Sequence, residues 1–339
     1  MRLPFPSLST LPPTLAKPPR YFPTLISHTS TTTTPYYRPL SRSLSHPSQP
    51  HHPQANHSTT PPPPSSKMSS PAPAQYVTVT PTPSGYALLT IHRNPVNSMN
   101  TLLWSQLQAA LDRCEQDPNI RGLILTSGLS RPVFTAGNDL TEIFAPMTSR
   151  EQYARFWTVS NQFLARLYRS PLITAAAIHG ACPAGGTAMS MACDHRSISL
   201  HPASSMGLNE VAIGIPVPAK WAQLMATLTG QGEANRLCGF GKMVDAAEAK
   251  RIGLVDSLVD GEGKEVVADA VRWMEKTLRL PDVGRVITKA HFRDRLSREW
   301  EDEEWLRSEA EGAWEMLASD EVVTVLGGVM QRMSGKAKI

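Results

Sequence analysis

Buried parallel strands alternating with helices, an α/β arrangement, are what this sequence predicts, and three short strand-like runs, the first two apolar, carry the prediction. Gly122-Leu-Ile-Leu-Thr-Ser127, the run over 172–178 and the run over 195–200 each precede or follow a segment of helical character. Short continuous apolar runs fit strands covered on both faces. Strands that alternate with helices along the chain build a parallel sheet, because each parallel pairing needs a crossover.

The elements follow in order. Segments 76–80 and 86–92 alternate in polarity and flank Pro83-Ser-Gly85, which reads as a hairpin. Asn100 is an N-cap residue type, and after it Leu103, Leu107, Ala110, Leu111 and Cys114 recur at helical spacing. The strand at 122–127 runs into Phe134-Thr-Ala-Gly-Asn-Asp-Leu140, and the run over 171–178 into His179-Gly-Ala-Cys-Pro-Ala-Gly-Gly-Thr-Ala188, whose Gly185-Gly186 pair opens an apolar helix. Both strand-to-helix turns are built of small residues, so a negatively charged oxygen can approach their unpaired N–H groups and the helix dipole. From Lys264 onward Trp273, Trp300, Trp305 and Trp314 sit among many charges, the pattern of helices packing on a core or on a neighbouring subunit.

The first 67 residues do not belong to that core. They hold 16 of the 30 prolines and half of the ten histidines, with runs such as Thr31-Thr-Thr-Thr34 and Pro61-Pro-Pro-Pro64. Such a composition buries too little apolar surface to offset ordering its backbone, so a disordered leader is expected over 1–67 and a linker over 68–75. The first acidic residue of the chain is Asp112, and seven of the 33 basic residues precede it, which leaves 26 basic against 29 acidic residues, a net charge of −3. The pI near 8.9 therefore belongs to the leader, and no basic nucleic-acid surface is indicated.

An acid-free N-terminus containing Arg and Ser reads as an organelle transit segment, although its prolines interrupt the amphipathic helix such segments use. Met68 begins a stretch that can serve as a second start. The terminal Ala337-Lys-Ile339 resembles a weak peroxisomal address, so the mitochondrial matrix is expected first and the peroxisome second. No apolar run reaches the ~18 residues of a membrane span, so membrane insertion is not expected. Cys114, Cys182, Cys193 and Cys238 have no metal spacing with any histidine and read as small core residues in a reducing compartment; no metal site is expected. His179 reads as packed or hydrogen-bonded.

Glu210 is the candidate for chemistry. It sits in the apolar setting Met206-Gly-Leu-Asn-Glu-Val-Ala-Ile-Gly-Ile215, where desolvation raises a carboxyl pKa toward neutrality and lets it both take and return a proton. The other readings of an isolated glutamate are a helix cap or a surface ion pair.

Five motifs in fixed order resemble the enoyl-CoA hydratase/isomerase (crotonase) superfamily, and most nearly its mitochondrial-type Δ3,Δ2-enoyl-CoA isomerases. They are the 134–140 and 180–186 segments, Cys193-Asp-His-Arg196, Gly207-Leu-Asn-Glu-Val-Ala-Ile-Gly214 and Ala246-Ala-Glu-Ala-Lys-Arg-Ile-Gly-Leu-Val255. The resemblance spans from about Tyr76 to the C-terminal helices. It implies a crotonase-like spiral of ββα repeats over 76–263 and a helical C-terminal portion over 264–339. It implies an oxyanion hole from the backbone N–H groups of Asn138 and Gly185, and a substrate loop of Ala136, Gly137, Asn138, Asp139 and Leu140 acting with Gly185 and Asn209. Glu210 falls on the catalytic position. Hydratases of the family carry a second glutamate where this chain has Ala188; isomerases of this type keep only the first.

The implied reaction moves the double bond of a 3-enoyl-CoA to trans-2-enoyl-CoA in fatty-acid β-oxidation. Coenzyme A is part of the substrate and no separate cofactor is expected. A homotrimer is implied. The alternatives are another acyl-CoA reaction of the family, hydration or dienoyl isomerisation, and a non-catalytic acyl-CoA-binding protein.

Several side chains keep two readings. The Asn138 amide either caps the following helix or adds polarity beside the thioester. Asn209 either orients the thioester or the carboxylate, or shapes a turn. Asp139 suits the first turn of a helix and is kept as a substrate-loop residue rather than a base. Lys289 and Arg293 are either partners for CoA phosphates or part of a solvated helix face. Phe144, Trp157 and Trp221 are candidates for the wall around the acyl tail.

Overall fold

A computed structural model describes residues 74–336, with side chains through 333. The expected leader, Met68, most of the linker and the terminal Ala337-Lys-Ile339 lie outside the described residues.

The expected hairpin is β1 (Val77–Pro81) and β2 (Tyr86–Ile91), antiparallel with Val77 opposite Ile91. Helix α1 (Thr101–Gln116) begins where the Asn100 side chain accepts the Leu103 N–H, and it buries the five residues its periodicity singles out, together with Trp104. There follow β3 (Gly122–Ser127), α2 (Arg150–Arg169), β4 (Ile173–Ile178), β5 (Ala181–Pro183), α3 (Gly185–Met191), β6 (His195–Ser199) and β7 (Ser205–Gly207). Then come α4 (Ala219–Thr229), α5 (Gln231–Cys238), β8 (Val244–Asp245), α6 (Ala246–Arg251) and β9 (Ser257–Val259). Four helices close the chain: α7 (Gly263–Thr277), α8 (Asp282–Glu301), α9 (Glu303–Leu317) and α10 (Asp320–Lys336).

Among the described residues the strands form a six-stranded sheet ordered β1-β2-β3-β4-β6-β9 and a three-stranded sheet ordered β5-β7-β8. In the larger sheet every pairing after the hairpin is parallel. The ββα repeat is visible in the connectivity: β4 of the large sheet, β5 of the small one, then α3; β6, β7, then α4. In the turn that starts with β3 a single bridge, Val133 to Ala181, stands in for the short second strand. The expected α/β spiral with a helical C-terminal portion is the fold observed.

Alternation along the strands divides the core into two layers. Leu123 and Leu125 of β3, with Ala176 and Ile178 of β4, join the large cluster shared with α1 and α2. Ile124, Ile173, Ala175 and Ala177 point the other way onto Val266, Ala270 and Met274 of α7. The expected boundary at 263/264 thus falls at the start of a helix that covers the sheet. Approach is close: a Cβ on Gly122 would lie 2.3 Å from the Met274 sulfur. The four C-terminal tryptophans also pack within the chain. Trp273 stacks on His195 with centroids 4.4 Å apart, Trp300 donates to Asn161 Oδ1, Trp305 lies under the Lys220 ammonium and Trp314 meets Tyr153.

Neither reading of Lys289 and Arg293 holds. Asp194, from the Cys193-Asp-His-Arg196 motif, accepts Lys289 at 2.8 Å and Arg293 at 3.0 Å, and its Oδ2 also takes the Thr174 N–H. Lys289, whose side chain is only 9% exposed, donates further to the Leu172 carbonyl, and Arg293 to the Tyr168 carbonyl, so both cations are consumed in fixing α8 to the ends of α2 and β4. Burial works against the Asp194 charge, yet the two cations hold its carboxyl below the usual range. Removing one partner of such a cluster leaves the other charges uncompensated. Asp194→Asn should therefore lower the urea-unfolding stability by roughly 3 kcal/mol; an unchanged midpoint would show that the cluster contributes nothing.

Candidate active site

Two turns meet at the site. The first, after β3, is pinned from below by the buried Asn97, whose Nδ2 donates to the Phe134 carbonyl and Ser127 Oγ at 2.9 Å each. Thr135 Oγ1 donates to the Asn97 carbonyl and accepts the Gly137 N–H. Gly137 has φ +85°, a conformation that suits glycine. The Met99 N–H then bonds the Gly137 carbonyl, and the Asp139 N–H the Met99 carbonyl. Between these two bonds the Asn138 N–H is left without a partner among the described residues.

The second turn joins β5 to α3. Its pivot, Ala184, has φ 51° and ψ −121°, a sparsely populated conformation for a residue with a Cβ, and its N–H is tied to the Gly207 carbonyl. Gly185 is the first residue of α3, so its N–H is one of the orphan donors of a helix start. The turns abut. A Cβ on Gly185 would lie 2.9 Å from Asn138 Oδ1, and one on Gly137 would lie 3.2 Å from both Ala184 Cβ and the Pro183 carbonyl.

The cap reading of Asn138 is corrected. Its Oδ1 accepts the Trp104 indole N–H at 3.2 Å, and the cap of the short 3-10 turn Leu140–Glu142 is Asp139, which accepts the Thr141 N–H. Asp139 also pairs with Arg93 at 2.7 Å. Burial pushes its pKa up, but these bonds outweigh burial and leave the carboxyl below its ordinary value, so it stays an ionised loop anchor.

Glu210 opens the 3-10 turn Glu210–Ile213 just after β7. It is 5% exposed, and neither carboxyl oxygen has a hydrogen-bond partner. Burial raises its pKa to about 7, with its own backbone N–H a small opposing influence. The surface-ion-pair reading fails on both counts. Asn209 gives its carbonyl to the Ala212 N–H and makes no side-chain bond to the carboxylate, which favours its turn role. Ala188 is fully buried in α3.

Glu210 faces a cavity of about 670 Å³. Ala136, Asn138, Asp139, Leu140, Ala184 and Asn209 share that wall, while Gly137 and Gly185 stand behind it. Most of the rest is apolar, with Tyr153, Phe156 and Trp157 from α2, Trp221 from α4, and Ala313, Met316, Leu317, Val329 and Met333 from α9 and α10. Trp157 and Trp221 are where the sequence reading puts them. Phe144 is not a wall residue; it packs beside Gly327 of α10. The α9 and α10 wall escaped sequence reasoning, and so did a second carboxyl in the cavity, Glu309, whose pKa burial raises. The four cysteines are buried free thiols, with burial pushing Cys114 and Cys238 up to about 11 and Cys193 to about 12. His179 packs near His201, away from the cavity. Among the described residues no group of three or more His, Cys, Asp or Glu is placed to hold a metal ion, and no helix is long and apolar enough to cross a membrane.

A spiral of this kind, with two small-residue turns facing a buried lone carboxyl, defines a class, and comparison with known proteins gives the class its name. The model of the enoyl-CoA hydratase/isomerase family matches residues 82–321, and this chain belongs to that family. Among relatives, human mitochondrial enoyl-CoA delta isomerase 1 is 36% identical over 211 residues, which are 62% of this chain and 68% of that one. A probable enoyl-CoA hydratase of Bacillus subtilis (strain 168) is 34% identical over 169 residues, 50% of this chain and 64% of that one. The crystal structure of human mitochondrial delta3-delta2-enoyl-CoA isomerase superposes with a TM-score of 0.73 at 31% identity, covering 77% of this chain and 99% of that one.

The unpaired carboxyl has a cost that can be measured. Because its folded pKa is raised above the ordinary 4.5 to about 7, the folded chain holds the proton longer than the unfolded one, and stability falls as pH rises through that interval. Glu210→Gln should therefore be more stable than the natural chain at pH 8, by up to about 3 kcal/mol, with the difference closing toward pH 4.5. Equal urea-unfolding stabilities at both pH values would mean that the carboxylate is not desolvated.

Proposed function

We propose that this chain is a Δ3,Δ2-enoyl-CoA isomerase that works with one acid-base group. The observation that carries the reading is Glu210: a carboxyl buried without a partner, poised to titrate near neutrality, in the wall of an otherwise largely apolar cavity. A proton carrier that must both accept and donate is most effective when its pKa lies near the working pH. The identity to the human delta isomerase and the absence of a carboxyl at Ala188 support the same reading.

In this mechanism the Glu210 carboxylate takes a proton from C2 of the 3-enoyl thioester. The C2–H electron pair moves into a dienolate whose charge collects on the thioester oxygen. The unpaired N–H groups of Asn138 and Gly185 are the donors assigned to that oxygen, where such preorganised donors matter most in the transition state. Glu210 then returns the proton to C4, leaving the double bond between C2 and C3. Atoms balance within the substrate, so no cofactor enters. Ala136, Gly137, Asp139, Leu140 and Asn209 shape the floor that holds the thioester.

The mitochondrial label of the human relative and the acid-free N-terminus support action in the mitochondrial matrix, in fatty-acid β-oxidation, with the peroxisome as the second location. A homotrimer is the assembly the family resemblance implies.

Glu210→Gln should abolish conversion of 3-enoyl-CoA to trans-2-enoyl-CoA, a loss of at least about 1000-fold, while acyl-CoA binding measured by calorimetry persists. In the natural chain kcat/KM should climb as pH rises through about 7, because only the ionised Glu210 can take the C2 proton. Undiminished turnover in the variant removes the isomerase reading, and rapid hydration of crotonyl-CoA by the natural chain replaces it with a hydratase.

A further inference from the structure

Two tandem glycine pairs lie inside helices of this chain, and packing explains only one of them. At Gly185 and Gly186 of α3 an added Cβ would come within 2.9 Å of Asn138 Oδ1 and closer still to Thr135 Cγ2, so close approach requires glycine there. Gly327 and Gly328 of α10 differ. A Cβ at Gly327 would meet the Phe144 ring at 3.6 Å, and one at Gly328 the Arg332 guanidinium at 3.4 Å, which are contacts of ordinary length. Neither glycine takes a positive φ. Alanine would fit at both positions, and glycine is, after proline, the poorest helix former because its backbone is the freest to leave the helix.

The pair divides α10 in two. Before it, the Ser319 hydroxyl accepts the Val322 N–H, Val322 and Leu326 are buried in the large core cluster, and Val325 lies against Gly214 at the end of the Glu210 turn. After it, the helix adds no residue to that core among the described residues. Val329, Met330 and Met333 line the cavity instead, and Met333 is 56% exposed, which places it at the cavity's rim. The fixed half of α10 is thus joined to the cavity half by two residues that hold a helix least firmly.

We propose that Gly327-Gly328 is a hinge that sets the range of acyl chains accepted: residues 329–333 swing outward to admit 3-enoyl-CoA thioesters with long chains, whereas short chains fit the cavity as it stands. This deepens the isomerase reading and rests on it. Opening gives up little burial, since Val329 and Met330 are half-buried and Met333 is exposed. A long tail beneath the three side chains supplies apolar surface for them to cover again. Segments that move for a ligand come from the least stable parts of a fold. The half of α10 that packs on the Glu210 turn lies on the other side of the hinge, so opening leaves the proton carrier in place.

The test combines hydrogen exchange with turnover. In the natural chain the backbone amides of 329–333 should exchange with deuterium at least about tenfold faster than those of 322–326, and bound hexadecanoyl-CoA should slow them. Gly327→Ala/Gly328→Ala should slow the same amides about tenfold in the free chain, the factor by which two such substitutions favour a helix. The double variant should lower the ratio of kcat/KM for a sixteen-carbon over a six-carbon 3-enoyl-CoA by a similar factor. Gly284→Ala in α8, where nothing lies within 4 Å of the added Cβ, should alter neither quantity. Amides of 329–333 as protected as those of 322–326, or a chain-length ratio that the double variant leaves unchanged, overturns the inference. If the natural chain isomerises neither ester, equilibrium binding of hexadecanoyl-CoA against hexanoyl-CoA decides. A binding ratio lowered in the double variant sustains the hinge and removes only the isomerase reading; an unchanged ratio removes both.

Discussion

A carboxyl group taken out of water without a hydrogen bond is the constraint around which the site is built. Glu210 has two oxygens and no partner for either, and burial moves its pKa to about 7. An ion pair with Arg93 or a bond to the Asn209 amide would have stabilised the charge and returned the pKa to the acidic range, as happens at Asp139 a short way along the same wall. The two acids have opposite environments and therefore opposite uses: one stays ionised and anchors a loop, the other is left poised between its forms. Such a group is destabilising when ionised, so the fold must supply that free energy elsewhere.

It does so where the chain is densest. The two turns that face Glu210 are held by groups behind them: Asn97 and Thr135 under the first, the Gly207 carbonyl and β7 under the second. Because the turns touch each other through Gly137 and Gly185, neither can shift without the other. The unusual pair of angles at Ala184 is a local strain, and the network of bonds on either side of it is what maintains it. Rigidity at this end of the cavity follows from the backbone, not from the side chains that line it.

How legible all this was in the sequence depends on the range of the interactions involved. Strands such as Gly122–Ser127 and the α1 face of Leu103, Leu107 and Cys114 could be read because periodicity is local and burial follows it. Glu210 could be singled out because an acid inside an apolar run is itself a local anomaly. Of the two readings of Asn138 the cap fails: an Asx residue before a helix looks like a cap, but Trp104, 34 positions earlier, donates to its oxygen and Asp139 next door does the capping. Lys289 and Arg293 look like exposed helix cations until the fold brings Asp194, 95 positions away from Lys289, between them. Glu309 and the α9 and α10 wall carry no local signal at all, since an acid within an amphipathic helix is the ordinary appearance of a solvated face.

The cavity's two ends therefore answer to different parts of the chain. Residues 136–140, 183–185 and 209–210 form the polar end and sit on turns whose geometry the central sheet fixes. The tail wall comes from α2, α4, α9 and α10, with Met316 and Met333 among its side chains, and methionine adapts its shape more readily than branched residues do. Lys220, one residue into α4, pairs with Glu299 of α8 while lying over Trp305 of α9. The helical layer is thus fastened to itself at the cavity's side, while α2 and α4 also pack on α3 and α10 packs on the 3-10 turn that Glu210 opens. A substitution in that layer can reshape the tail pocket while the turns around Glu210 keep their bonds to the sheet, so changes in which chain is accepted need not disturb how its proton is moved.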